Sequence, residues 1–359
     1  MGNKKCYFVC ANTSKGFVSY FDYVLNDAKR VYIIKGGPGC GKSTFMKRMG
    51  EELLEFGFDV DFIYCSSDMN SIDGIFVHDV DIAVVDGTAP HVIDPKYPGA
   101  VERILNFGDY WDIDYLREKK DEIKYYFDEI EKHYKIFFEY MSSAKLIHDK
   151  WEKEYLKGMD FRKADEITEN LIKSIIVKNQ NKQSKEWHRF AGAMTPQGQL
   201  TFYDILTKQI ENRYVVKGRP GTGKSTMTKK IAKAALKNGY DVEYYHCSFD
   251  PDSIDMIIIP ELSFALLDGT APHELEPENY DNVVDMFECI DTDVVHEDED
   301  PIKSIELEYA KEIEKAKFIY RKIYEIHNEL EKYYIDAIDF NDVNALRIRI
   351  TDTIKSLKK

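Results

Sequence analysis

The sequence lacks the features of several protein classes. It has only six cysteines in 359 residues and no Cys-x-x-Cys pair, so neither a disulfide framework nor a zinc site is expected. Its longest apolar stretch, Met256 to Leu267, is interrupted by Pro260 and Glu261 and is shorter than the roughly 20 residues that span a bilayer. The apolar part of MGNKKCYFVC is too short for a signal peptide. These absences predict a cytoplasmic protein with reduced thiols and no membrane partner.

Positive charge is also in deficit. The chain has 49 Lys and Arg residues against 64 Asp and Glu residues, which gives a formal net charge of -15. That balance argues against a broad basic surface for nucleic acid. The length predicts two domains, and a hydrophobic content of 43% is enough for packed cores.

The sequence repeats itself at an offset of 182 residues (224 − 42). The segment KGGPGCGKST, Lys35 to Thr44, is matched by KGRPGTGKST, Lys217 to Thr226. The same offset superimposes DGTAPH at Asp86 to His91 on DGTAPH at Asp268 to His273. We therefore expect two halves with the same fold.

Each half has the pattern of an α/β unit. A glycine-containing hairpin is followed by short apolar strands that alternate with helical segments, and such alternation predicts an α/β fold with a mainly parallel sheet. The predicted strands are Val31 to Ile34, Val60 to Tyr64, Ile82 to Val85, Tyr214 to Val216, Val242 to Tyr245 and Phe264 to Leu267.

Each core is followed by a long segment with helical periodicity. Apolar residues from Leu116 to Tyr155 recur at spacings of three and four, which predicts a coiled-coil-like helix. Gly158 offers a turn before a shorter returning helix, so an antiparallel hairpin is expected. Asp160-Phe161 is matched by Asp339-Phe340 at an offset of 179, which predicts a second hairpin. These hairpins either pack over the sheets or project to bind a protein partner.

The expected domains are a first core at 1–112, a first hairpin at 113–180, a second core at 186–300 and a second hairpin at 301–359, with a polar linker at 178–185.

The two glycine-rich segments match the Gly-x-x-x-x-Gly-Lys-Ser pattern of a phosphate-binding loop between a strand and a helix. Glycines allow the backbone to curl so that its N–H groups point at a phosphate. Lys42 and Lys224 are expected to bind the β- and γ-phosphates, and the hydroxyls of Ser43 and Ser225 to bind Mg²⁺. The other predicted nucleotide-binding residues are Gly36, Gly37, Pro38, Gly39, Cys40, Gly41, Thr44, Gly218, Arg219, Pro220, Gly221, Thr222, Gly223 and Thr226.

Two acids end the third predicted strands. Asp86 and Asp268 are expected to hold the Mg²⁺ shell, although an Asp before Gly can also simply form a turn. Many ATPases carry a catalytic Glu directly after this acid, and here that position is Gly in both halves. Another residue must therefore orient the attacking water, or hydrolysis is slow.

Candidates for that role lie in the following loops. His91 and His273 come just after the acids, where they could sense the γ-phosphate, act as a base, or only cap the next helix. Asp68 and Asp250, beyond the second predicted strands, compete for the role of base. Arg219 could reach a phosphate as a charge-stabilising group or lie in solvent.

On these motifs the chain resembles the P-loop NTPase superfamily, and it looks like bacterial tandem P-loop ATPases with a repeated DGTAPH motif. The resemblance implies a doubly wound α/β core that binds ATP or GTP with Mg²⁺. ATP is the default, because no guanine-recognition motif stands out.

Three functions stay open at this point. The first is an ATPase switch in which two fused domains form an intramolecular pseudo-dimer, or in which two chains form a homodimer. The second is a P-loop kinase of a small molecule or nucleotide, and the third is a non-hydrolysing, nucleotide-dependent scaffold.

Overall fold

The computed structural model describes residues 1–270, 277–278, 281–295 and 300–358. Each half contains a mixed sheet, and each sheet is followed by one very long helix and one short helix. The elements of the first half are β1 (Lys4–Phe8), β2 (Cys10–Thr13), β3 (Gly16–Ser19), α1 (Phe21–Leu25), β4 (Arg30–Lys35), α2 (Lys42–Phe56), β5 (Val60–Tyr64), β6 (Ile72–Val77), β7 (Ile82–Asp86), β8 (Glu102–Asn106), α3 (Ile113–Glu118), α4 (Lys120–Leu156) and α5 (Phe161–Ile175).

In the second half, the strands and the helices other than α3 recur in the same order after the irregular segment 176–185, where the polar linker is predicted. Its elements are β9 (Glu186–Arg189), β10 (Gly192–Thr195), β11 (Gly198–Thr201), α6 (Tyr203–Thr207), β12 (Asn212–Lys217), α7 (Lys224–Lys237), β13 (Val242–His246), β14 (Ile254–Ile259), β15 (Phe264–Asp268), β16 (Asn282–Asp285), α8 (Asp300–Ala337) and α9 (Phe340–Lys355).

The two six-stranded sheets have the same topology. The first has the order β1-β5-β6-β7-β4-β8 and the second has β9-β13-β14-β15-β12-β16. Three of the five neighbouring pairs in each sheet are parallel, and β6 and β14 run antiparallel to both neighbours. The six predicted strands and the predicted hairpins (β2-β3 and β10-β11) are confirmed. The prediction missed the first, antiparallel and last strands of each sheet.

The two sheets meet at equivalent residues of the repeat. Phe8 donates its backbone N–H to the carbonyl of Phe190 at 2.9 Å, and Phe190 donates to the carbonyl of Phe8 at 2.8 Å. Their numbers differ by 182 (190 − 8), so each residue pairs with its own counterpart in an antiparallel bridge. Such reciprocity is the mark of an isologous, twofold interface, here between halves of one chain.

The long helices α4 and α8 pack against each other in antiparallel directions. Ring contacts show this, because Tyr126 near the start of α4 lies 5.9 Å from Tyr333 near the end of α8, while Trp151 lies 6.0 Å from Tyr309. Phe137, at the middle of α4, packs on Tyr320 with 4.7 Å between ring centroids. The apolar stripe predicted for the first helix is therefore buried against the equivalent helix of the other half.

The expected helical hairpins are wrong, because each short helix packs on the other half instead of folding back on its own long helix. The turn at Gly158 exists, but Ala164 and Leu171 of α5 join the core of the second half. Likewise Leu346 and Ile350 of α9 join the core of the first half. A periodic apolar stripe shows that one face of a helix is buried, but it does not show which surface covers that face. Here α5 is covered by the second half and α9 by the first.

Backbone hydrogen bonds join the two halves where the chain passes from one half to the other. Asp112 donates to the carbonyl of Ala337 at 2.7 Å, and Asp160 donates to the carbonyl of Cys289 at 2.7 Å. In the part of the chain that the structure describes, every helix is too short or too polar to cross a membrane. The six cysteines are free thiols.

Candidate functional site

The first glycine-rich loop connects the end of β4 to the start of α2. Gly39 and Gly41 have φ angles of +68° and +78°, which residues with a Cβ rarely adopt. Cys40 between them is buried and accepts a hydrogen bond from the indole N–H of Trp111 at 3.1 Å. The buried Cys40 side chain therefore anchors the loop to the core, while the loop glycines are half-buried.

Lys42 begins α2 and folds back over this loop. Its Nζ donates to the carbonyls of Gly37 at 2.7 Å and Gly36 at 3.2 Å, and it lies 3.5 Å from Oδ2 of Asp86. Asp86 ends β7, where the parallel register places it beside Ile34 of β4. The sheet therefore brings the strand-end acid to the base of the loop, next to the lysine.

Hydrogen bonds also fix the two predicted metal ligands of the first half. Ser43 Oγ accepts the backbone N–H of Ile72 at 3.0 Å. Oδ1 of Asp86 accepts the backbone N–H of Thr88 at 2.9 Å, which leaves Oδ2 on the side of Lys42. Hydroxyl and carboxylate oxygens are thus both presented at this loop.

The second loop repeats this geometry. Gly221 and Gly223 have φ angles of +80° and +84°, and Lys224 Nζ donates to the carbonyl of Gly218 at 2.7 Å. The same ammonium lies 3.7 Å from Oδ2 of Asp268, and Ser225 Oγ accepts the backbone N–H of Ile254 at 3.1 Å.

The remaining predicted residues of the second loop include a buried position equivalent to Cys40. Thr222 is buried like Cys40, and its hydroxyl donates to the carbonyl of Arg219 at 2.8 Å. The Arg219 side chain is exposed. His273 lies outside the described residues.

A cavity of about 830 Å³ lies over the first loop and contains residues of both halves. The first half contributes the loop, Asp86, His91 and part of α4. The second half contributes Pro196 from its β10-β11 hairpin and a series of α8 residues. The α8 residues are Tyr320, Ile323, Tyr324, His327, Asn328, Leu330, Glu331 and Ile335. The site is therefore composite, and its outer wall comes from the other half of the chain.

The first half in turn contacts the segment that follows β13 in the second half. Ser14, in the β2-β3 turn, donates its backbone N–H to the carbonyl of Phe249 at 2.9 Å. Lys145 of α4 places its Nζ 3.3 Å from Oδ2 of Asp250.

The crossing helices touch the glycine-rich loops directly. A Cβ built on Gly39 would lie 2.7 Å from the carbonyl oxygen of Glu331 in α8, and a Cβ on Gly221 would lie 2.7 Å from the carbonyl oxygen of Glu152 in α4. Backbone oxygens cannot move aside as a flexible side chain can. These glycines therefore serve both the curl of the loop and the close approach of the helix.

His91 is part of a buried ion pair rather than a free base. Its Nε2 lies 3.4 Å from Oδ1 of Asp73, and both side chains are 7% exposed. Burial opposes the charge on the imidazole, but the Asp73 carboxylate outweighs burial and raises the pKa of His91 to about 9. Its Nδ1 is buried without a hydrogen-bond partner among the described residues. A protonated imidazole cannot accept a proton, so the expectation of His91 as a base is not supported, whereas a charge-sensing role is compatible with this geometry.

Asp68 and Asp250 are occupied in turns. Oδ1 of Asp68 accepts the backbone N–H of Asn70 at 3.0 Å, and its Oδ2 accepts the hydroxyl of Ser71 at 2.6 Å. Asp250 accepts the backbone N–H of Asp252 at 3.2 Å and pairs with Lys145. Both carboxylates hold their own loops, which argues against either acting as the base.

Sequence reasoning missed a motif in the long helices. His148 and Glu152 in α4, and His327 and Glu331 in α8, share the spacing His-x-x-x-Glu at an offset of 179 (327 − 148). Within each pair the imidazole Nδ1 and the carboxylate Oε1 lie 3.9 Å and 3.7 Å apart, respectively. Extending the repeat search into the helices at the offset of Asp160-Phe161 would have found both pairs.

The charges of these pairs follow from their surroundings. Burial, followed by the charge of Lys145, lowers the pKa of His148. Burial also lowers the pKa of His327, and the charge of Lys42 acts in the same direction. Both imidazoles are therefore neutral near pH 7. Burial raises the pKa of Glu152.

The second site has charges that the first lacks. Lys145 forms ion pairs with Asp149 and Asp250, whereas the equivalent positions of Lys145 and Asp149 in α8 are Tyr324 and Asn328 (324 − 145 = 179). His148, Asp149 and Glu152 place one side-chain N or O atom each within 4.8 Å of one another, so two carboxylates and an imidazole share this face of α4. The two sites are thus alike at the loops and different in the covering helices.

These features were compared with known proteins in three ways. Protein-family models, curated protein sequences and solved structures all give no significant match to the chain.

Proposed function

We propose that the chain binds ATP at two sites, one on each glycine-rich loop, and hydrolyses it with the help of Mg²⁺. One observation carries the proposal: a lysine ammonium, a strand-end carboxylate and a curled glycine backbone converge at the start of a helix in both halves. Lys42 lies 3.5 Å from Asp86, and Lys224 lies 3.7 Å from Asp268. A helix N-terminus and an ammonium group both attract phosphate.

The chain's own groups would hold the triphosphate. The curled backbone between Gly36 and Gly41 supplies N–H donors, and Lys42 supplies a positive charge that the Gly36 and Gly37 carbonyls hold at the loop. Charge-assisted hydrogen bonds of this type are about twice as strong as neutral ones. The nearby cavity of about 830 Å³ is within the range of small-ligand sites.

Magnesium fits the oxygen donors at each loop. Mg²⁺ prefers hydroxyl, carboxylate and phosphate oxygens, and Ser43 and Asp86 would supply two of them in the first site. The Ser43 hydroxyl accepts one hydrogen bond from Ile72, which orients it and leaves a lone pair for a metal. Ser225 and Asp268 are the equivalents in the second site. Bound Mg²⁺ supplies neutralisation of the charge that develops on the phosphates.

Nucleotide binding at one loop would affect the other through the crossed helices. The backbone of α8 touches the first loop, the backbone of α4 touches the second, and the two helices share a buried cluster that includes Phe137 and Tyr320. Displacing one helix therefore disturbs the packing of the other. We propose that the fused halves act as a pseudo-dimeric nucleotide switch of this kind.

The test measures ATP binding by calorimetry and phosphate release from Mg·ATP, without an acceptor. The proteins are the wild type, Lys42→Ala, Lys224→Ala and the double variant, with Lys29→Ala as a control at the opposite end of β4. We expect each loop variant to weaken binding at its site by about tenfold or more, the double variant to be inactive, and the single losses to be non-additive.

Two other outcomes would favour a different function or contradict the proposal. Tight ATP binding without phosphate release would favour a kinase whose acceptor is missing from the assay, or a nucleotide-dependent scaffold with a protein partner. Wild-type protein that fails to bind ATP or GTP would contradict the proposal.

A further inference from the structure

Any hydrolysis at these loops needs a group that orients and deprotonates water. In both halves a glycine follows the strand-end acid, so that position offers no carboxylate. The cavity over the first loop shows which carboxylates are within reach. Six of them line it: Asp68, Asp73, Asp86, Asp128, Glu131 and Glu331.

The three carboxylates of the first core are already engaged. Asp68 holds its own turn through both oxygens. Asp73 is buried in the ion pair with His91. Asp86 bonds Thr88 and faces Lys42. None of these groups is available to accept a proton from water without breaking a structural contact.

Two more carboxylates lie on α4, and they do not recur in the repeat. Asp128 is exposed, and Glu131 is exposed and paired with Lys135 at 2.6 Å. At the offset of 179 the second half has Leu307 and Ala310 in their places (307 − 128). A group needed by two equivalent sites would be present in both halves.

Glu331 differs from the others in three ways. It comes from α8 and lies against the first loop, with its backbone carbonyl oxygen 2.7 Å from a Cβ built on Gly39. Its side chain is about one-third exposed and lines the cavity beside the neutral His327. Its equivalent is Glu152, whose backbone carbonyl oxygen lies 2.7 Å from a Cβ built on Gly221 in the second loop. The charge of Lys224 acts to lower the pKa of Glu152, against the larger effect of burial.

We propose that Glu331 is the general base of the first site and Glu152 that of the second, so that each half supplies the base for the other. This inference rests on the proposed function. The carboxylate accepts a proton from water while the water oxygen bonds to the γ-phosphorus. The bond between that phosphorus and the β–γ bridging oxygen breaks, and ADP leaves with the electron pair. His327 and His148 lie one helical turn earlier, with Nδ1 at 3.7 Å and 3.9 Å from the respective carboxylates.

The experiment uses each loop variant to silence one site, so that the full-length chain reports on the other. In Lys224→Ala protein only the first site turns over, and in Lys42→Ala protein only the second does. Glu331→Gln and Glu152→Gln are added singly to each background. Phosphate release in single turnover is measured, together with ATP affinity by calorimetry and thermal unfolding by circular dichroism.

Each Gln variant is expected to reduce turnover only at the site on the opposite half of the chain. In the Lys224→Ala background, Glu331→Gln should lower turnover by about 100-fold or more, while Glu152→Gln should change it less than threefold. The Lys42→Ala background should show the reverse. ATP affinity at the remaining site should stay within about twofold, because the carboxylate acts on water rather than on the nucleotide. Glu329→Gln and Glu139→Gln, exposed positions on the same two helices, should have no effect in either background.

Three results would overturn the inference. Glu331→Gln could leave turnover in the Lys224→Ala background intact, or each variant could reduce turnover in both backgrounds together with thermal stability, which indicates a purely structural role. Wild-type protein that binds ATP without releasing phosphate would also overturn it while leaving nucleotide binding in place. Absence of ATP binding in the wild type would instead remove the proposed function as well.

Discussion

A buried charge cluster between the two sheets gives a direct test of how the halves are held together. Glu243 of β13 accepts two hydrogen bonds from Lys5 Nζ of β1, at 2.5 and 2.7 Å, and lies 3.2 Å from Nη1 of Arg189. The hydroxyl of Tyr245 donates to it at 2.7 Å. Glu243→Gln removes the negative charge and keeps the shape of the side chain, so two buried or half-buried cations lose their partner.

The magnitude follows from the pKa of Glu243. Burial opposes its ionisation, but Lys5 and then Arg189 outweigh burial and lower the pKa from 4.5 to about 2. That difference is equivalent to about 3 kcal/mol of folding stability at neutral pH. Because the folded state has the lower pKa, the stabilisation is present above about pH 4.5 and declines as the pH falls toward 2, reaching about 1 kcal/mol at pH 3.

The assay is urea denaturation of the wild type and Glu243→Gln at pH 7 and pH 3. We expect the variant to lose about 3–5 kcal/mol of unfolding free energy at pH 7, because a buried ion pair is broken on one side, and much less at pH 3. Glu329→Gln, which breaks an exposed pair with Lys332, should cost at most about 1 kcal/mol. A loss below 1 kcal/mol at pH 7, or an equal loss at both pH values, would refute this account of the interface.

Two further predictions concern the contacts of α8 with the first half. Tyr320→Phe should lower the unfolding free energy by about 1–3 kcal/mol, because the hydroxyl donates to the carbonyl of Ser66 at 2.9 Å and accepts from Asn12 at 2.7 Å; an unchanged denaturation midpoint would contradict it. Gly39→Ala should lower the melting temperature more than Gly16→Ala, since both glycines have positive φ but only the Cβ at Gly39 meets backbone of α8; equal shifts would show that the helix contact contributes nothing.

The sequence predicted the core of each half because its signals are local. Apolar strands such as Ile82–Asp86 and the glycines of the loops carry their structure in adjacent residues. By contrast, β6 (Ile72–Val77) contains Asp73 and Gly74, which interrupt its apolar run. Asp73 is tolerated in a buried strand because His91 neutralises it, and that partner cannot be inferred from the strand itself.

The exchange of the helices could not be predicted for a different reason. The stripe that includes Phe137 and Met141 shows that one face of α4 is buried, and it is equally satisfied by a returning helix or by α8. Which surface covers it depends on the path of the chain near Asp112 and Asp160, where single hydrogen bonds to the other half leave no pattern in the sequence. For the same reason the covering residues of the sites, Glu331 and Glu152, were missed although the loops beneath them were identified.

The pairing of Phe8 with its own counterpart Phe190 has a consequence for divergence. Two identical chains meeting through such a contact would be bound to carry the same residues at both sites, because every substitution would appear twice. Joining the copies in one chain removes that constraint. Lys145 beside Asp250 in the second half and Tyr324 in the cavity over the first loop are a difference that identical chains could not encode, so covalent fusion allows the two sites to carry different charges.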